Sequence, residues 1–304
     1  MGLGGEQHER RNRQNRCRIS QYLVRDGFFP GRSSAVPYVK RIAKHYDADV
    51  VALYVRPPVV NPMMEPATWP VDIETAKAQD AFCRQELLDN LSGIRTKVLI
   101  EEGSIEACLK AAMESNDTDL VVIGTRGRTG AAKLLLGSVA EEIFRTVTCP
   151  VLTVGPHATM AGGMTRPIRQ ILYATDFSPE STHAADYAVS LAQEFQARLV
   201  LLHVIPNQKP GDLVSAADVT TSSEKLLRKL VSPEAAFWCK PEYFVLRGDP
   251  AQQIIEFAKL REPDLVVLGA RQEKGVFGAA SHLPTATAHK VVSHAPCPVL
   301  TVRH

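Results

Sequence analysis

The chain has 304 residues, 45% of them hydrophobic and 22% charged, with a formal net charge of +2. That is the composition of a globular protein long enough for two ordinary domains, and its charge marks out no nucleic-acid partner. No apolar run reaches the roughly 18 residues of a membrane span and no signal-peptide pattern is present, so the expectation is a cytoplasmic protein with no membrane partner.

Residues 1–16 are polar, with Arg10, Arg11, Arg13 and Arg16 at their end, and read as a disordered tail. A first strand over 18–24 runs into Arg25-Asp26-Gly27, and a helix over 33–46 and a strong strand over 49–55 follow. Residues 57–70 form a proline-rich loop. The stretch 72–91 has helical periodicity, with Ala76, Phe82, Leu87, Leu88 and Leu91 along one face. A strand over 96–100 and a helix over 104–115 lead to residues 119–124 (DLVVIG), a short β-branched run suited to a buried parallel strand.

What comes next is the most informative stretch. Gly124, Gly127, Gly130 and Gly137 are followed by Ser138, and Glu141 stands three residues beyond it, a capping box that predicts a helix starting at Ser138. Glycines let a backbone approach a ligand closely, and a helix N-terminus offers N–H groups and positive potential to an anion. The alternative is a surface turn in which Ser138 only caps its helix. No Gly-Lys-[Ser/Thr] follows and there is no GxGxxG, so neither the P-loop nor the dinucleotide fingerprint applies. The copy closes with Cys149-Pro150-Val151-Leu152-Thr153-Val154.

The pattern then repeats. Residues 170–178 restate the first strand and its end, and 198–204 restate 49–55. Gly248-Asp249-Pro250 restates Gly103-Ser104-Ile105, 264–269 restate 119–124, and 297–302 repeat 149–154 word for word. Residues 156–167 read as a Gly/Pro-rich linker between two domains, 17–155 and 168–304, each of a size one core supports. Strands alternating with helices predict an α/β fold: two tandem, doubly wound, five-stranded parallel sheets of Rossmann-like type. The identical closing strands predict edge-to-edge pairing of the two copies as an intramolecular pseudo-dimer.

The spacing Gly-x2-Gly-x9-Gly-Ser over Gly124, Gly127, Gly137 and Ser138 resembles the nucleotide loop of the ATP-binding branch of the universal stress protein family, and the resemblance extends over nearly all of the chain beyond the tail. It implies an adenine-nucleotide-alpha-hydrolase-like fold with strand order 3-2-1-4-5 and a role in stress response as sensor or regulator. The ligand it implies is ATP or AMP, with Mg²⁺ allowed as a companion. Carried over residue by residue, it places Asp26 and Val55 at the adenosine, and Gly124, Arg126, Gly127, Gly137, Ser138 and Val139 at the phosphates. Arg128 and Lys133 are positioned to add charge.

The second copy keeps Asp176 and Val204 but has Ala270-Arg271-Gln272-Glu273 after Gly269, and Thr285-Ala286 in place of Gly-Ser. The expectation is therefore one nucleotide, in the first domain. The rival reading is a nucleotide-independent scaffold with vestigial pockets. There is no Gly-x-Ser-x-Gly elbow and no HExxH, so no enzyme is expected beyond weak ATP hydrolysis. His203 lies within an apolar strand and reads as a core or rim side chain, and the remaining histidines do not space as metal ligands. The six cysteines, Cys149 and Cys297 among them, read as reduced structural residues, and assembly into homo-oligomers is compatible with the family.

Overall fold

The computed structural model describes residues 19–22, 35–56, 73–124, 143, 147–155, 157–158, 167–207, 216–270 and 286–303. The chain divides into two compact units, one holding residues 1–131 and 137–147, the other 132–136 and 148–304.

In the first unit, strands β1 (Ile19–Tyr22), β2 (Val50–Arg56), β3 (Thr96–Glu102) and β4 (Leu120–Gly124) alternate with helices α1 (Val36–Tyr46), α2 (Ile73–Asn90) and α3 (Ile105–Asn116). The strands are parallel in the order β3-β2-β1-β4, with Ile19 opposite both Val50 and Leu120. Val50, Ala52, Leu53, Val121 and Val122 are buried, as continuous β-branched runs covered on both faces should be. Helix α2 differs from the predicted face. Cys83, Leu87 and Leu91 are buried, while Phe82 is 57% and Leu88 39% exposed. A four-residue step keeps side chains on one stripe, and Phe82 and Leu88 each sit one residue off it.

The second unit takes β5 (Val151–Val154) together with β6 (Gln170–Thr175), β7 (Arg198–Ile205), β8 (Glu242–Arg247), β9 (Leu265–Gly269) and β10 (Val299–Val302). Its helices are α4 (Pro179–Glu194), α5 (Ala216–Lys229), α6 (Pro233–Cys239), α7 (Pro250–Arg261) and α8 (Ala286–His294). The strand order is β5-β10-β9-β6-β7-β8, all parallel except for β5. β5, the closing strand of the first sequence copy, runs antiparallel to β10 with Leu152 opposite Leu300 and Val151 opposite Thr301. The pairing expected of the two identical strands is thus present. On α4 the buried stripe is Ser181, Ala184, Ala185, Ala188 and Ala192, small side chains that let the helix lie close to the sheet.

The repeat is visible in backbone geometry as well as in words. Gly103 and Gly248 take φ of +134° and +137°, which only glycine adopts readily, and the next residues, Ser104 and Asp249, cap α3 and α7. Asp47 and Gln196, and again Asp117 and Glu262, turn left-handed where corresponding helices end.

Candidate functional site

In an open doubly wound sheet the strand order reverses beside the first strand, and the crevice beyond the carboxyl ends there is where ligands bind. In the first unit β1 lies between β2 and β4, so Val55, next to last in β2, and Gly124, last in β4, lie on either side of that reversal. Successive residues of a strand direct their N–H and C=O groups to opposite neighbours. The Val50 N–H donates to the Arg95 carbonyl and the Arg56 carbonyl accepts from Gly103, so even-numbered residues of β2 bond towards β3. Val55 therefore turns its N–H and C=O towards the β1 side, two positions beyond the last register pair among the described residues, Tyr22 with Leu53. The valine side chain is buried, so its main-chain donor and acceptor are the groups it turns towards that side. Its neighbour Arg56 is held away by Asp80 at 3.5 Å and Glu102 at 3.2 Å. Asp26, Arg126, Gly127, Gly137, Ser138 and Val139 lie outside the described residues.

In the corresponding corner of the second unit, the end of β6, the turn into α4 and Val204 are among the described residues. Arg198 donates to the Arg169 carbonyl, so even-numbered residues of β7 bond towards β6, and Val204 faces the end of β6 as Val55 faces the end of β1. Around it a tight polar knot closes the turn into α4. The Asp176 Oδ1 accepts from the Ser178 N–H at 3.0 Å and from the Ser181 hydroxyl at 2.8 Å. Ser181 has one hydroxyl proton, and the carboxylate is its strongest acceptor, so the Thr175 hydroxyl, 2.9 Å away, donates to Ser181 and itself accepts from the Phe177 N–H. Ser178 caps α4 by accepting from the Ser181 N–H, and Phe177 is held at φ +61°.

His203 is half-buried, with its ring 4.4 Å from that of Phe177. Its Nδ1 lies 2.8 Å from the Thr175 carbonyl, which can only accept, so Nδ1 carries the proton and Nε2 is the acceptor of the neutral ring. Below the knot the Tyr173 hydroxyl donates to the Ser181 carbonyl, and burial above all pushes its pKa up to about 12. Sequence reasoning singled out Asp176 but missed Thr175 and Ser181. The signal was there in hydroxyls three residues apart, at 175, 178 and 181, around one aspartate.

Gly269 ends β9 as Gly124 ends β4. A Cβ placed on Gly269 would stand 2.3 Å from the Ser181 Cα and 2.4 Å from its nitrogen. This glycine is required by the helix lying over it. Its presence in the second copy is accounted for by packing alone.

A groove of about 330 Å³ opens elsewhere, at the amino ends of β2 and β3. It is lined by Asp49, Arg95, Lys97 and Asn116, but these charges are already engaged: Arg95 with Asp47 and Asp49, and Lys97 with Asn116.

A tandem pair of doubly wound α/β units, each with its strand order reversing beside its first strand, defines the structural class. The universal stress protein family model matches residues 26–155 and 167–303, and the chain belongs to that family. A universal stress protein of Mycolicibacterium smegmatis is 27% identical over 293 residues, covering 89% of this chain and 92% of the relative. One from Methanocaldococcus jannaschii is 29% identical over 143 residues, covering 44% of this chain and 82% of its own. Among solved structures, a universal stress protein of Archaeoglobus fulgidus shares the fold at TM-score 0.64 and 20% identity, over 93% of this chain and 98% of that one.

Proposed function

We propose that this protein binds an adenine nucleotide, ATP or AMP, in its first domain, and acts in the cytoplasm in stress response as a sensor or regulator and not as an efficient catalyst. The observation that carries the reading is the main chain of Val55. A donor and an acceptor side by side at the strand-order reversal suit the N1 and N6 edge of adenine, which needs one of each. The loop of Gly127, Gly137 and Ser138 would supply N–H groups and a hydroxyl to the phosphates, and the Asp26 carboxylate an acceptor for the ribose. Mg²⁺ accompanying the nucleotide would rest mainly on phosphate oxygens and water, as that ion usually does.

Mass spectrometry of nucleotide released from the purified protein tests this directly, and calorimetric titration should give a stoichiometry near one. Gly137→Val with Ser138→Ala should abolish binding, because two or three charge-assisted bonds of about 1.5–3 kcal/mol each are lost. Asp176→Ala should leave binding unchanged. If Asp176→Ala removes it, the site is in the other half of the chain.

For the second domain a scaffolding role is favoured by two observations. Asp176 is committed to Ser178 and Ser181, and Gly269 to packing on α4.

A further inference from the structure

Strand β8 is the outermost strand of the second unit, and among the described residues it pairs on one edge only, with β7. The Gly248 N–H donates to the Ile205 carbonyl, so even-numbered residues of this segment bond inward. Tyr243, Val245 and Arg247 therefore direct their N–H and C=O groups outward.

Natural sheets blunt such edges with charge. Strand β3 of the first unit does so with exposed Lys97, Glu101 and Glu102. β8 has Tyr243, Phe244, Val245 and Leu246 in a row, all half-exposed, with charge only at its two ends.

The helices that precede and follow β8 in the chain are equally unusual. Arg228 of α5 lies 4.6 Å over the Tyr243 ring and Phe257 of α7 packs 5.0 Å from Phe244, so α5 and α7 cover the faces of the strand and leave its edge. Every large exposed hydrophobic residue described in this unit sits on α5, on α7 or on α6, which leads into β8: Leu226, Leu260, Phe237 and Trp238. Phe237 is 80% and Trp238 63% exposed. Aromatic residues of this kind anchor protein interfaces.

We propose that the β8 edge docks a second copy of this chain, by antiparallel β8–β8 pairing about a twofold axis at Val245. A twofold normal to the sheet keeps each face continuous, so residues pair only with partners of the same parity. The register that aligns all three outward residues sets Val245 opposite Val245 of the second copy, Tyr243 opposite Arg247, and Phe244 opposite Leu246. It opposes no like charges, and in its inner pairs it matches aliphatic or aromatic groups. Because the same patch serves both copies, the assembly closes at two. Pairing with the charged β3 edge would instead bury Glu101 or Glu102 against apolar side chains.

Sedimentation of the full chain should show a dimer. Val245→Lys sets two ammonium groups opposite each other and should weaken that dimer by roughly a hundredfold or more, while Lys97→Glu on β3 leaves it intact. Val245→Cys gives a second readout that does not depend on tolerance of a charge. Opposed Cα atoms of a hydrogen-bonded antiparallel pair lie about 5.5 Å apart, within disulfide reach, so mild oxidation should link Cys at 245 to its copy and leave the wild type unlinked. A monomer at every concentration, a dimer indifferent to Val245→Lys, or a dimer in which the introduced thiols do not cross-link would each overturn the proposal.

Discussion

At the scale of single residues, two positions that resemble ligand contacts in the second domain serve its own architecture. Gly269 has no room for a methyl group, so Gly269→Ala should cost about 3 kcal/mol in denaturant unfolding, because backbone and not a flexible side chain must move. Asp176→Ala should cost about 1–2 kcal/mol through the loss of two bonds to one carboxylate. Tyr173 adds a signature in pH. Its folded pKa is raised to about 12 against about 10 unfolded, so the folded state holds the proton more tightly. The stabilisation is complete below the unfolded value and is lost as pH rises through the folded one. Unfolding midpoints should fall between about pH 10 and 12, and Tyr173→Phe should flatten that decline. Cys297 is buried and its thiol is pushed well above the ordinary cysteine range, chiefly by desolvation, so a thiol reagent should label it only as the domain opens.

At the scale of elements, local signals were the readable ones. The Gly103-Ser104 and Gly248-Asp249 pairs were legible as a repeat, and the structure shows each to be a turn and a cap, with α3 and α7 directly after them. The parallel strands were legible because both faces are buried and each therefore reads as an unbroken apolar run. Amphipathic α2 was only half legible. Phe82 and Leu88 are large and apolar, so a rough helical period took them onto the buried face, while the true stripe uses the smaller Cys83 with Leu87 and Leu91. Leu87→Ala should thus cost about 2–4 kcal/mol and Phe82→Ala less than about 0.5, by chemical denaturation. The left-handed cap of α7 falls on Glu262 at φ +46°, a conformation that penalises any Cβ. Glu262→Gly should stabilise the protein by roughly 1 kcal/mol. In the candidate site, Val55 was found by resemblance, but the direction of its main chain follows from register, which no single strand of sequence reveals.

At the scale of the whole molecule, the duplication was visible in repeated words, above all in the two copies of Cys-Pro-Val-Leu-Thr-Val. Less visible was where the compact units divide. Residues 148–154 close the first copy in sequence yet fold with the second unit, because the hydrogen bonds of β5 to β10 are made there. A fragment holding residues 156–304 alone would lack β5 and expose the β10 edge. It should be less stable and more prone to association than the full chain, as light scattering and thermal unfolding would show.

The pairing of β5 with β10 also bears on how such a protein can change over time. Its register is centred on Leu152 and Leu300, equivalent residues of identical segments, so it is the pairing two separate copies of one repeat would make with each other. Within one chain the two strands are covalently joined, so their pairing is intramolecular and dilution cannot part them. In a dimer of identical chains every substitution appears twice. Here each half mutates alone, so one half can lose the glycines of its loop while the other keeps a full set, and the shared strand pair tolerates the difference.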